Sequence, residues 1–125
     1  MFNQRKMAKL LIMYRSGCPL ASALDIIGDK WSLVIIRDLF IERSTFKAFL
    51  DGPEGIASNI LAQRLKWLKE NGIIDFVFKK DNQKVKHYYL TDMGIDLYPS
   101  MHEIMKWSQN NLDKALDPLT IEWNE

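Results

Sequence analysis

The apolar positions of the chain fall into stretches of two different periods. Leu20, Ala23, Leu24 and Ile27 follow helical spacing, and Cys18-Pro19 before them marks a helix start with proline at the first helical position. Gly28 closes that element. Trp31, Val34, Ile35 and Leu39 predict a second helix over 30–41. Ser44 or Thr45 can cap a short third helix through Phe46, Phe49 and Leu50, and Asp51-Gly52-Pro53-Glu54-Gly55 reads as a turn. Ser58 is placed to cap a fourth helix that ends at Asn71-Gly72. The period then shortens. Residues 73–78 and 85–90 are rich in β-branched and aromatic residues around the polar stretch 79–84, the pattern of a β-hairpin. Thr91 caps a last helix to about Ala115, which Pro99 should bend or split.

Helices followed by a hairpin predict a mainly α fold with a small β-hairpin, a winged helix-turn-helix flanked by N- and C-terminal dimerisation helices. The expected organisation is an amphipathic helix over 1–17, a DNA-binding domain over 18–90, a dimerisation helix over 91–115 and a tail over 116–125. In the N-terminal segment, Phe2, Leu10, Leu11 and Tyr14 are available for packing. Ser16-Gly17-Cys18 invites a lipoprotein reading, but Lys9 and Arg15 interrupt the short apolar run before it. No apolar stretch of about 18 residues predicts a membrane span.

With one cysteine in 125 residues, no disulfide scaffold can form within the chain, and a reducing cytoplasm is the expected compartment. The net charge of +1 hides an uneven distribution. Residues 58–90 carry seven Lys/Arg against three Asp/Glu, whereas residues 91–125 carry two against seven. A basic centre beside an acidic end predicts a polyanion-binding segment next to one with another task.

The basic segment contains the fourth helix and the hairpin. At about 100° per residue, Leu61, Leu65 and Leu68 form an apolar stripe that Ile60 and Trp67 widen. The opposite face holds Asn59, Ala62, Gln63, Lys66 and Glu70, with Ser58 at its start. Asn and Gln can bond adenine bidentately, Lys can reach guanine or phosphate, and Ala can touch a thymine methyl. Taken alone, this is also what any solvated helix face looks like. Arg64 lies on the flank, where it can bond a neighbouring loop or reach a phosphate. Ser44 and Thr45 are candidate phosphate contacts. Lys79, Lys80, Lys84 and Lys86 suit contacts from a wing to the DNA backbone, and equally the protection of an edge strand.

These segments carry a resemblance. Cys18-Pro19, the run from Ala23 to Trp31 with its Gly28-Asp29-Lys30-Trp31, the run Leu61-Ala62-Gln63-Arg64-Leu65-Lys66-Trp67-Leu68, Asn71-Gly72-Ile73-Ile74, and Tyr89-Leu90-Thr91-Asp92-Met93-Gly94 resemble the HxlR-type bacterial regulators, a branch of winged-helix proteins related to the MarR group. The resemblance spans about residues 18–113. It implies a homodimer on a palindromic promoter site, with the fourth helix in the major groove and the hairpin beside it. It also links Cys18 to redox or electrophile sensing.

Cys18 stands at a helix start, where backbone N–H groups favour a thiolate and where Arg15 is near in sequence. A sensing role and a packing role both stay open. Leu97, Met101 and Ile104, with Met105, form an apolar seam on the last helix that suits dimerisation, because two half-sites require two copies. His87 and His102 fall in different elements with no metal-ligand motif, and no phosphate-binding loop or nucleophile elbow is present. The chain therefore reads as a double-stranded-DNA-binding regulator and not an enzyme, with no cofactor or metal and an inducer that the sequence does not name. A winged helix used for protein contact alone is the alternative.

Overall fold

The computed structural model describes residues 14–112. Its elements are α1 (Pro19–Ile27), α2 (Ser32–Phe40), α3 (Phe46–Leu50), α4 (Ser58–Glu70), β1 (Ile74–Lys79), β2 (Asn82–Leu90), α5 (Asp92–Ile95) and α6 (Tyr98–Asn111). The two strands form an antiparallel hairpin. The predicted helix over 1–17 and tail over 116–125 lie mostly outside the described residues. Tyr14 to Gly17, which are described, are not helical.

Local chemistry explains most of the boundaries. The α2 start is held by Asp29, whose carboxylate accepts from the Trp31 amide (3.0 Å), the Ser32 amide (2.9 Å) and the Ser32 hydroxyl (2.5 Å). Burial by itself raises the Asp29 carboxyl. The Ser32 hydroxyl, the two amides and Arg64 outweigh it and hold the group below the usual range. Asp29→Ala is expected to lower stability by about 1 kcal/mol through loss of this cap. A carboxyl held low in the fold stabilises above its unfolded pKa, and that stabilisation is lost as pH falls through the folded value. Urea titrations of both proteins should therefore show the gap at neutral pH and show it closing below about pH 4.

Thr45 caps α3 as the sequence predicts, accepting from the Ala48 amide at 3.2 Å. The start of α4 differs. Ala57 occupies the cap with extended backbone and makes no side-chain bond, and Ser58 is the first helical residue. The far end closes with a Schellman motif: the Gly72 amide donates to Lys69 (3.0 Å) and the Ile73 amide to Leu68 (3.0 Å). Gly72 takes φ +76°, which a residue with a Cβ adopts only with strain.

The hairpin is tighter than the sequence predicts. Asn82, Gln83 and Lys84 belong to β2, leaving only Lys80 and Asp81 at the turn. The pairing runs from Ile74↔Leu90 to Phe78↔Lys86 and then shifts register to Lys79↔Asn82. The last helix is split, but upstream of Pro99. Thr91 caps the short α5, accepting from the Gly94 amide at 3.3 Å, and Pro99 sits in the first turn of α6, where its missing N–H removes no helical bond.

The buried core combines Ile35 and Ile36 of α2, Phe49 of α3, Leu61, Leu65 and Leu68 of α4, Ile73 and Ile74 at the hairpin base, and Met101 of α6. Met101 is therefore a core residue. Leu97 and Met105 pack against the same cluster. Of the four residues predicted to form a seam, only Ile104 is exposed, and Trp107 joins it on the surface of α6. The spacing identifies residues that share a face, and that face closes largely on its own domain.

Candidate nucleic-acid interface

Two residues one turn apart hold the C-terminal half of α4. The Trp67 indole donates to the Ile26 carbonyl at 2.8 Å, tying α4 to α1. Arg64 lies 3.4 Å from Asp29 and 5.7 Å from the Trp67 ring centroid. In the free chain the guanidinium thus reaches the loop at the start of α2, the first of its two readings. The loop leading into α4 is pinned as well. Arg37 donates to both carboxylate oxygens of Glu54, at 2.6 and 2.8 Å, and also to Asp38 at 2.7 Å. The Arg37 guanidinium holds the Glu54 carboxyl below its ordinary range. Asp38, which also pairs with Arg43 at 3.3 Å, is pushed up by its own burial against the pull of both arginines. A fixed α4 follows, and nothing in residue spacing announces the Arg37–Glu54 pair, which spans 17 positions.

The outer face of α4 is free to meet a partner. Ser58, Asn59, Ala62, Gln63 and Lys66 are all exposed. Between α3, α4 and the hairpin lies an open groove of about 840 Å³. Leu65, Phe76 and Tyr88 give it an apolar lining, and Ala62 leaves space beside them. Its rim carries Lys47, Lys66, Lys69, Lys84 and Lys86. The structure thus brings Thr45, Ala62, Lys66, Lys84 and Lys86 of the predicted residues to one groove. Lys79 and Lys80 remain at the hairpin tip, outside it. The Ser44 carbonyl accepts from the Tyr88 amide at 2.8 Å, which ties the α2–α3 loop to the wing.

Lys47 and Lys69 are absent from the sequence prediction. Lys69 was findable, because it follows Lys66 by three positions and so shares its side of the helix. Lys47 offered no such signal.

Cys18 is exposed at the N-cap of α1. The backbone amides of Ala21 and then Leu20 at the start of α1 hold its thiol below the ordinary value. Arg15 does not contribute as its proximity in sequence suggests. It bonds Asp25 at 2.5 Å. Among the described residues no cluster of three His, Cys, Asp or Glu could hold a metal, and no described helix is long and apolar enough to cross a membrane.

Residues 26–116 match the model of the HxlR-like helix-turn-helix family. The chain belongs to this family. Its members are transcription regulators, and the HxlR-like match covers the helix-turn-helix, the wing and α6. The chain is similar to the uncharacterized HTH-type transcriptional regulator YdeP of Bacillus subtilis, with 32% identity over 85% of this chain and 86% of that one. Among solved structures it is similar to PA1607 (36% identity, TM-score 0.72, 83% of this chain and 70% of that chain). It is also similar to the redox regulator HypR in its reduced form (26% identity, TM-score 0.69, 77% of this chain and 95% of that one). The chain spans 64% of the length of the mycobacterial HTH-type regulators that it matches at 30% identity. Winged-helix regulators are the neighbours throughout, in keeping with the mostly helical fold and its antiparallel hairpin.

Proposed function

We propose that this HxlR-like protein is a homodimeric, sequence-specific regulator that reads double-stranded promoter DNA and responds to modification of Cys18. The observation that carries the reading is the groove in which Ala62, Lys66 and Lys69 of α4 meet Lys47 of α3 and Lys84 and Lys86 of the wing. In this account Asn59, Gln63 and Lys66 face the base edges, with Ser58 at the helix start and Ala62 allowing close approach. Lys84 and Lys86, with Lys47 and Lys69, meet phosphates. Thr45 is a phosphate contact through the groove, and Ser44 fixes the wing. The compartment is the cytoplasm, where DNA and a reduced thiol coexist.

Two copies are needed to read two half-sites. The exposed apolar side chains Met93, Ile95, Ile104 and Trp107 support pairing through α5 and α6. Light scattering of the full chain at micromolar concentration should report a dimer of about twice the 14.6 kDa chain mass. A monomer under those conditions contradicts the pairing.

The wing makes a separate prediction. Replacing Lys80 and Lys84 with alanine should weaken binding to all sequences about equally. The slope of log K against log salt should fall by roughly 0.9 for each phosphate that is no longer neutralised. An unchanged slope would assign these lysines to solubility and edge protection.

Selection of bound sites from a random duplex library tests the whole reading. The expected product is an inverted repeat with half-sites about one helical turn apart, roughly 34 Å. Diamide should change recovery of that site for the wild type and not for Cys18→Ser. Recovery of no common sequence would defeat the specific-binding reading, and equal diamide sensitivity in both proteins would defeat the thiol response.

A further inference from the structure

The lysines on the groove rim differ in how they are held. Two of them share one aromatic ring. Lys86 Nζ lies 4.5 Å from the Phe76 centroid, and Lys69 Nζ lies 5.6 Å from it. Lys86 comes from β2 and Lys69 from the last turn of α4. The ring between them is fixed in turn. It stands edge-on to Phe78, with centroids 5.5 Å apart and planes at 81°. It also lies 5.6 Å from Tyr88, which packs edge-on against the core residue Phe49 at 6.1 Å. The position of both ammonium groups is thereby connected to the core through a chain of rings.

A lysine that meets a phosphate gives up the freedom of a long, flexible stem. A ring face that already attracts the ammonium removes part of that cost before the DNA arrives. The two charges repel each other, and Asp75, 3.6 Å from Lys69, offsets that repulsion. Lys86 has no carboxylate within ion-pair distance among the described residues, so more of its charge is available to a new anion.

We infer that Phe76 is a positioning residue. It seats Lys69 and Lys86 together, so that the recognition helix and the wing close on neighbouring phosphates of one strand as a single clamp. This rests on the DNA-binding reading above. Ring packing against Phe78 and Tyr88 also favours an aromatic at position 76, so the test reads the lysines themselves.

The test uses the full chain with Phe76→Leu, which keeps apolar bulk and loses the ring face, and Phe76→Tyr, which keeps the face. In the free protein, NMR should show the Lys86 side-chain Hε protons shifted upfield by the ring, with a smaller shift at Lys69. Both shifts should vanish in Phe76→Leu and persist in Phe76→Tyr. On duplex DNA at low salt, Phe76→Leu should weaken binding roughly three- to tenfold, with Phe76→Tyr within about twofold of wild type. Lys86→Ala should cost less in the Phe76→Leu background than in the wild type, because the seat is already gone. Melting temperatures establish that each variant is folded.

The inference is overturned if Phe76→Leu binds like wild type, if its effect simply multiplies with that of Lys86→Ala, or if the Lys86 protons show no ring shift. A wild type that ignores duplex DNA defeats the clamp together with the DNA-binding reading. The ring shifts still decide whether Phe76 seats the lysines, so the two failures are distinguishable.

Discussion

Gly94→Ala is expected to lower stability by about 2–4 kcal/mol. Gly94 is buried where α5 crosses the base of the hairpin. A Cβ added there would lie 2.3 Å from the Ile73 carbonyl oxygen and 2.9 Å from Leu90 Cδ2. The Leu90 methyl could move aside, but the carbonyl belongs to the backbone. It accepts the Thr91 amide at 3.1 Å, and the Thr91 hydroxyl donates to the neighbouring Gly72 carbonyl at 2.6 Å. Relieving the clash means separating α5 from the turn that closes α4. The cost would spread to Ile73 and Ile74, two of the most buried residues in the protein. Urea denaturation of the variant measures it, and a midpoint equal to wild type would show that α5 can lift from the hairpin base at little cost.

The second large effect concerns recognition. Gln63→Ala should lose roughly 1–3 kcal/mol of binding free energy on the preferred site. Gln63 is exposed in the middle of α4, on the face that also presents Asn59 and Lys66. A glutamine that bonds an adenine edge bidentately contributes to discrimination as well as to affinity. The variant should therefore also change the ranking of bound sequences in a selection. A weaker but unchanged ranking would move Gln63 from base reading to backbone contact, and an unchanged affinity would make it solvated surface.

Much of the architecture was legible because the signals were local. Pro19, Thr45, Thr91 and Asn71-Gly72 mark element ends through chemistry that acts within a few residues, and the structure uses all of them. The misplacements have physical causes. Ser58 looked like a cap because its hydroxyl could serve as one, yet the backbone turns helical one residue earlier and Ala57 holds the cap position. Asn82 to Lys84 looked like a loop because they are polar, but an edge strand exposed to solvent tolerates polar residues on both faces. Pro99 marked a helix break without locating it, since proline is compatible with a first turn. Met101 shows a deeper limit: helical spacing groups residues on one face and does not say which surface that face meets. The long-range pair Arg37–Glu54 was invisible for the same reason, and a loop contact was open to Arg64 without its partner Asp29 being evident. The lysine groove became visible only when α3, α4 and β2 were placed together.

On the proposed function, the face of α4 and the surrounding lysines bind DNA with sequence preference. Fluorescence anisotropy on the selected duplex and on a scrambled duplex, each from about 50 to 200 mM salt, tests it most directly. Binding to the selected site should be tighter by about a thousandfold or more, with affinity for both duplexes falling steeply as salt rises. Equal affinity for the two duplexes, or affinity that ignores salt, would contradict it.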